Sequence, residues 1–191
     1  MKNKTNHTVS IKIAALIAAI VLVIGCTAGG TVAWLVSKPT AIVNTFTIGD
    51  INAELTETKK AFNIVPGVNI DKDPVATVKA NSEDCYLFVQ LAEENWPTFT
   101  EAGSTTRKVR YEIADGWTKL EDGVYYCVVT KSDADQPFHV LKNDKVTVSS
   151  TLTKKEANAI TSTPKLTVAV YAVQKAGIDT PAEAWKTAKA N

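Results

Sequence analysis

The chain is poor in the side chains on which most metal and nucleophile chemistry depends: two histidines, three cysteines and one methionine in 191 residues. With His7 and His139 alone, neither an HExxH helix nor a multi-histidine zinc site can be assembled. No GxSxG elbow, phosphate-binding P-loop or CxxC pair occurs. An excess of one charge is missing too, with 21 Lys+Arg against 20 Asp+Glu. Lys2, Lys4 and Lys12 fall in the first 33 residues, which hold no acid, so the rest carries 18 against 20, a net charge of −2. A surface so close to neutral offers no positive field for nucleic acid and no basic patch for anionic lipid. Low-complexity tracts and internal repeats are also absent.

What is present begins with an export signal. Basic residues up to Lys12 precede the apolar run IAALIAAIVLVI at 13–24, within the usual length of a signal h-region. The stretch that follows, CTAGGTVAWLVSKP, allows three endings. Thr31-Val32-Ala33 places small residues where a signal peptidase inspects them, for cleavage between Ala33 and Trp34. Alternatively VIGC fits a loose lipobox with Cys26 acylated, or nothing is cut and residues 13–36 are long enough to span a bilayer. Gly29 and Gly30 favour the first, because they break the signal helix just ahead of the scissile bond. The chain then divides into a signal peptide, 1–33, and a single domain, 34–191, a size that one core can serve.

From Trp34 onward short apolar alternations are punctuated by turn residues. Val43, Thr45 and Thr47 alternate with Ile42, Asn44, Phe46 and Ile48; the chain turns at Gly49-Asp50 and resumes with Ile51, Ala53 and Leu55, which reads as a two-strand unit. Pro66-Gly67 and Asp73-Pro74 mark turns before a strand at 75–80. CYLFVQLAEEN, 85–95, is apolar on both faces and is expected at the centre of a sheet. RKVRYEIADGWTKL and GVYYCVVT read as a strand pair with turns at Asp115-Gly116 and Asp122-Gly123, followed by FHVL, KVTVSSTL and KLTVAVYAVQK. Two helices are expected, one capped by Thr153 with Glu156 at N3, the other capped by Thr180 with Pro181 at N1 and Glu183 at N3. The whole is an antiparallel all-β pattern with one or two short helices, spaced as in an Ig-like sandwich and preceded by the signal helix.

Candidate chemistry is sparse. His139 alternates with Phe138 and Val140 and reads as a satisfied strand histidine rather than a ligand or base. The acidic stretches DKD (71–73), SED (82–84), AEEN (92–95) and SDAD (132–135) lack calcium-loop spacing and read as solvated turns, so no metal or cofactor is assigned. Once Cys26 is removed, Cys85 and Cys127 remain; in an oxidising location they can be bridged between non-neighbouring strands or be packed as two buried thiols. Trp96, Trp117, Tyr125 and Tyr126 could make a sugar platform, but Tyr125 and Tyr126 point to opposite faces, which favours core filling.

The segments AGGTVAWL, VNTFTIGDINAELTET and VPGVNIDKDPVATVKANSEDCYLFVQL, with the ending YAVQK…DTPAEAW, resemble a family of Gram-positive exported proteins cut by a SipW-type signal peptidase, which includes the biofilm-matrix fibre protein TasA and the camelysin group. That resemblance implies cleavage between Ala33 and Trp34, a secreted or cell-surface location and a jelly-roll-like β-sandwich. It implies the signal peptidase as one partner, further copies of the chain as another, and cell wall or matrix proteins as candidates. Camelysin-like members of the family are metalloendopeptidases, but this chain has no matching zinc-ligand constellation. The leading expectation is therefore a non-enzymatic matrix protein that polymerises by strand addition. A camelysin-like protease and a monomeric surface adhesin are the alternatives. The segment expected to be exchanged lies within 34–47, with Ile42, Val43, Asn44, Thr45 and Phe46 as its strand, because Pro39 confines any strand to one side of itself. The same residues can equally be the first strand of their own domain.

Overall fold

The strongest strand signal in the sequence lies at the middle of the fold. The computed structural model describes residues 43–48, 50–59 and 63–190. The signal segment with Ala33 and Trp34 lies outside the described residues, and so does Ile42. In chain order the strands are β1 (Val43–Ile48), β2 (Ala53–Thr56), β3 (Ile70–Asp71), β4 (Val75–Val78), β5 (Cys85–Glu94) and β6 (Val109–Ile113). β7 (Thr118–Glu121), β8 (Val124–Val129), β9 (Gln136–His139), β10 (Leu141–Val148) and β11 (Lys165–Gln174) complete them. The helices are α1 (Lys154–Asn158) and α2 (Pro181–Lys189). None of the described helices is long and apolar enough to cross a membrane.

One layer of the sandwich is a five-stranded sheet in the order β1-β11-β5-β8-β7. β5 runs antiparallel to β11 over ten residue pairs, from Cys85↔Gln174 to Glu94↔Lys165, and antiparallel to β8 on its other side. Residues 85–89 are buried on both faces, which is what a strand apolar on both sides requires. Leu87, Val89, Val168 and Val170 point into the space between the layers, whereas Tyr86, Phe88, Tyr171 and Val173 point to the outer face.

The other layer consists of two three-stranded ladders, β2-β4-β9 and β3-β10-β6. They run into one another, because β3 and β4 are separated only by residues 72–74 and β9 and β10 only by Val140. The Val140 N–H donates to the Pro74 carbonyl at 3.0 Å, and the Lys72 N–H donates to Asp144 at 2.8 Å. Between these bonds β10 bulges: its pairing with β6 slips between Leu141 and Val146, and Asn143 and Asp144 take left-handed φ of 56° and 53°. The layer thus bends over the large sheet, and Ala53, Leu55, Ala76, Val78, Val109, Val140, Leu141, Val146 and Val148 fill the interior against it.

Two expectations about pairing are corrected. Residues 43–55 do not form a local two-strand unit: β1 joins the large sheet and β2 joins the opposite layer. Likewise, the segment 109–129 does not make one strand pair. Asp122-Gly123 closes a β7–β8 hairpin, while β6 crosses to pair with β10. Each turn dipeptide was compatible with a hairpin; which layer needed the apolar face of the next strand decided between pairing and crossing. The α1 capping box forms as expected, with Thr153 accepting from the Glu156 N–H and Glu156 accepting from the Thr153 N–H. At α2 only half of the box forms. Thr180 accepts from the Glu183 N–H, but the Glu183 carboxylate takes the Thr180 hydroxyl instead of its backbone N–H.

Candidate functional site

β1 is the strand whose placement is least dictated by its neighbours in sequence. It pairs with β11 in parallel, Val43↔Val168 through Ile48↔Val173, whereas every other described ladder is antiparallel. A parallel pair cannot be closed by a tight turn, so β1 reaches its slot from the opposite end of the chain rather than from a hairpin. Residues 50–52 then lead into β2 in the other layer. That corner is pinned by Ser82, whose hydroxyl accepts the Asn52 N–H at 3.0 Å, and by Glu83, whose N–H donates to Asp50 at 3.2 Å. The residues expected to form an inserted strand, Val43, Asn44, Thr45 and Phe46, therefore sit on their own chain's β11.

The outer side of β1 pairs with no described strand, and its chemistry differs from that of every other sheet edge. Among the remaining terminal strands, β2 carries Glu54, β3 Asp71, β6 Arg110 and Glu112, β7 Lys119 and Glu121, and β9 Pro137. Charges and prolines on an edge obstruct the addition of a further strand. β1, VNTFTI, carries neither.

The outer face of the large sheet is covered by α2, which buries Ala184, Trp185 and Ala188. The Trp185 ring packs edge-on against Tyr171 at 5.0 Å between centroids and lies 5.3 Å from Phe88. Its indole N–H donates to Glu121 Oε1 at 2.7 Å, and Lys189 Nζ reaches the same oxygen at 3.3 Å. The indole bond first, then Lys189, holds the Glu121 carboxyl below its usual range. Ile48 of β1 joins the apolar cluster beneath the helix. The apolar spacing of AEAWKTA was visible in the sequence, but nothing in it located Glu121 as the partner of Trp185 across 64 positions.

The other sequence candidates disperse. Cys85 and Cys127 are both free, and their strands are immediate neighbours rather than distant ones. Because Cys85 faces Val129 and Leu87 faces Cys127, the two cysteines are diagonal, a relation that spaces residues about 7–8 Å apart and does not suit a bridge. Burial raises the Cys85 thiol to about 11 and the Cys127 thiol to about 12, so both behave as small apolar residues. His139 lies on β9 with Nδ1 2.9 Å from Asp144 Oδ1, beside the β10 bulge. Trp96 is buried and Trp117 donates its indole N–H to the His139 carbonyl at 2.8 Å. Tyr125 and Tyr126 belong to clusters on opposite faces of the sheet.

The acidic stretches tie their loops to segments distant in sequence. Asp84 Oδ1 accepts the Lys131 N–H at 2.8 Å, and Asp135 Oδ1 accepts the Ala80 N–H at 2.9 Å. Asp73 accepts the Thr58 N–H at 3.0 Å and the Lys59 N–H at 2.8 Å. Partial burial pushes the Asp73 carboxyl up, but these bonds and the Thr58 hydroxyl outweigh it and hold it below 3.8. Among the described residues no three His, Cys, Asp or Glu side chains are grouped so that they could hold a metal ion. No family model, no curated protein sequence and no solved structure matches the chain.

Proposed function

We propose that this chain is a secreted or cell-surface structural protein that assembles with further copies of itself by β-strand addition at β1. The observation that carries the reading is the edge inventory: of the six terminal strands among the described residues, β1 alone has neither charge nor proline, and it is the one joined in parallel to an otherwise antiparallel sheet. A strand that enters its slot without a hairpin can be supplied by a second copy once the corner at 50–52, held by Ser82 and Glu83, opens, as in strand exchange. Because β11 already accepts the sequence VNTFTI in register, the slot is complementary to that segment whichever chain provides it. The signal-like N-terminus at 13–33 and the likeness to TasA-type exported proteins support delivery outside the cell.

The finer fold reading goes with this function. The order β1-β11-β5-β8 in one layer and the ladder β3-β10-β6 in the other support a jelly-roll reading, with β2-β4-β9 as a further ladder and β7 folded back onto β8. The parallel setting of β1 is the one departure in direction. The test is assembly of purified chain starting at Trp34, followed by light scattering and electron microscopy. Polymers are expected, and Thr45→Pro should abolish them, since proline removes a backbone donor in mid-strand whichever way that N–H faces. A chain that stays monomeric at all concentrations, or a Thr45→Pro chain that polymerises normally, overturns the proposal.

A further inference from the structure

The helix α2 does more than cover an apolar face, because it touches both edges of the five-stranded sheet. At one edge Ile48 of β1 packs beneath it; at the other, Glu121 of β7 holds the Trp185 indole N–H and the Lys189 ammonium. Between them lie Tyr171 and Val173 of β11, Tyr86 and Phe88 of β5, and Val124 and Tyr126 of β8. The lead into the helix is fastened as well, by the Tyr86 hydroxyl donating to the Asp179 carbonyl at 3.2 Å and lying 3.4 Å from that of Ile178. β1 itself is held to the sheet by a single six-residue ladder, on β11 alone. Tyr171, a residue of that ladder, is the one the Trp185 ring meets edge-on.

We propose that α2 is a strap that keeps β1 in its own chain's slot, so that releasing the helix frees β1 for exchange with a second copy of the chain. This rests on the reading of β1 as the assembly strand, and it adds what controls that strand. The strap argument carries a consequence that mere burial does not: loosening the helix at β7 must loosen β1, four strands away in the sheet order. Glu121 is the handle, since it is on the far edge, its side chain is half exposed, and the β7–β8 hairpin does not depend on its carboxylate.

The experiment is deuterium uptake by the monomeric chain at high dilution, read in peptides covering residues 43–48 and 85–94. Trp185→Ala should speed uptake in 43–48 by about tenfold, and Glu121→Ala by about threefold, with 85–94 nearly unchanged because β5 is paired on both sides. Trp185→Phe, which keeps an aromatic ring, though a smaller one, but loses the indole N–H donor, should resemble Glu121→Ala. Unchanged uptake in 43–48 for Glu121→Ala overturns the strap, and so does an equal rise in 85–94, which marks general destabilisation. Should Trp185→Ala fail to fold, the Glu121→Ala result decides alone. Because uptake is read in monomers, a chain whose β1 loosens as expected but never polymerises refutes strand addition and leaves the strap standing.

Discussion

Glu57 and Lys72 form an ion pair in which each side chain is only 3 % exposed, and that pair sets a sharp expectation for stability. Glu57 follows β2 and Lys72 follows β3, so the pair closes the foot of the long loop between them, next to the bonds from Thr58 and Lys59 to Asp73. The gain from such a pair roughly balances the cost of removing both charges from water, but removing one partner leaves the other charge buried alone. Glu57→Ala should therefore cost about 3–5 kcal/mol. For a folding unit of this size, Ser37–Asn191, that corresponds to a fall in Tm of about 6–20 °C. Lys72→Ala should cost a similar amount. The double replacement Glu57→Leu with Lys72→Met should instead fall within about 1 kcal/mol of the starting chain or exceed it. Urea denaturation with an unchanged slope measures the starting chain, the two single variants and the double variant. A single substitution that costs less than about 1 kcal/mol, or a double variant as damaged as either single one, refutes the reasoning.

Gly123→Ala should cost about 3 kcal/mol or more, because its φ is +74° and an added Cβ would lie 2.7 Å from the Leu91 carbonyl oxygen, part of rigid β5 backbone. Gly116→Ala, at φ +95° with open space around it, should cost only about 1–2 kcal/mol, and equal losses in urea melts would show that the Leu91 contact is immaterial. The Glu156 carboxyl is lowered from 4.5 to about 2, first by the Thr153 N–H and then by Lys108 Nζ, 2.9 Å away. A carboxyl lowered on folding stabilises fully above its unfolded value, so α1 should hold above about pH 4.5 and loosen as pH falls towards 2. Amide exchange in residues 154–158 measures it; protection that persists unchanged at pH 2 refutes the assignment.

Local patterns were legible wherever neighbours in sequence are also neighbours in space. The α1 capping box, the Thr180–Pro181 helix start, the Asp122-Gly123 hairpin and the central position of β5 all rest on contacts within a few residues or on one strand's own two faces. The pairing of β1 was not legible, since a parallel partner 125 positions away leaves no turn signature. The cysteines make the same point. Their alternation placed both within strands, but whether those strands were adjacent, and whether the side chains lay opposite or on a diagonal, is a matter of register.

By itself the sequence determined the class of the fold, through period-two alternation broken by turn residues, and it limited the chemistry by holding so few histidines and cysteines. Only the tertiary structure decided which edges are open, which strand lies in parallel, and that Trp185 and Glu121 fasten the last helix across the whole sheet. The reason is physical: alternation records that a strand has a buried face, not which layer buries it, and an edge exists only once the order of strands has been set.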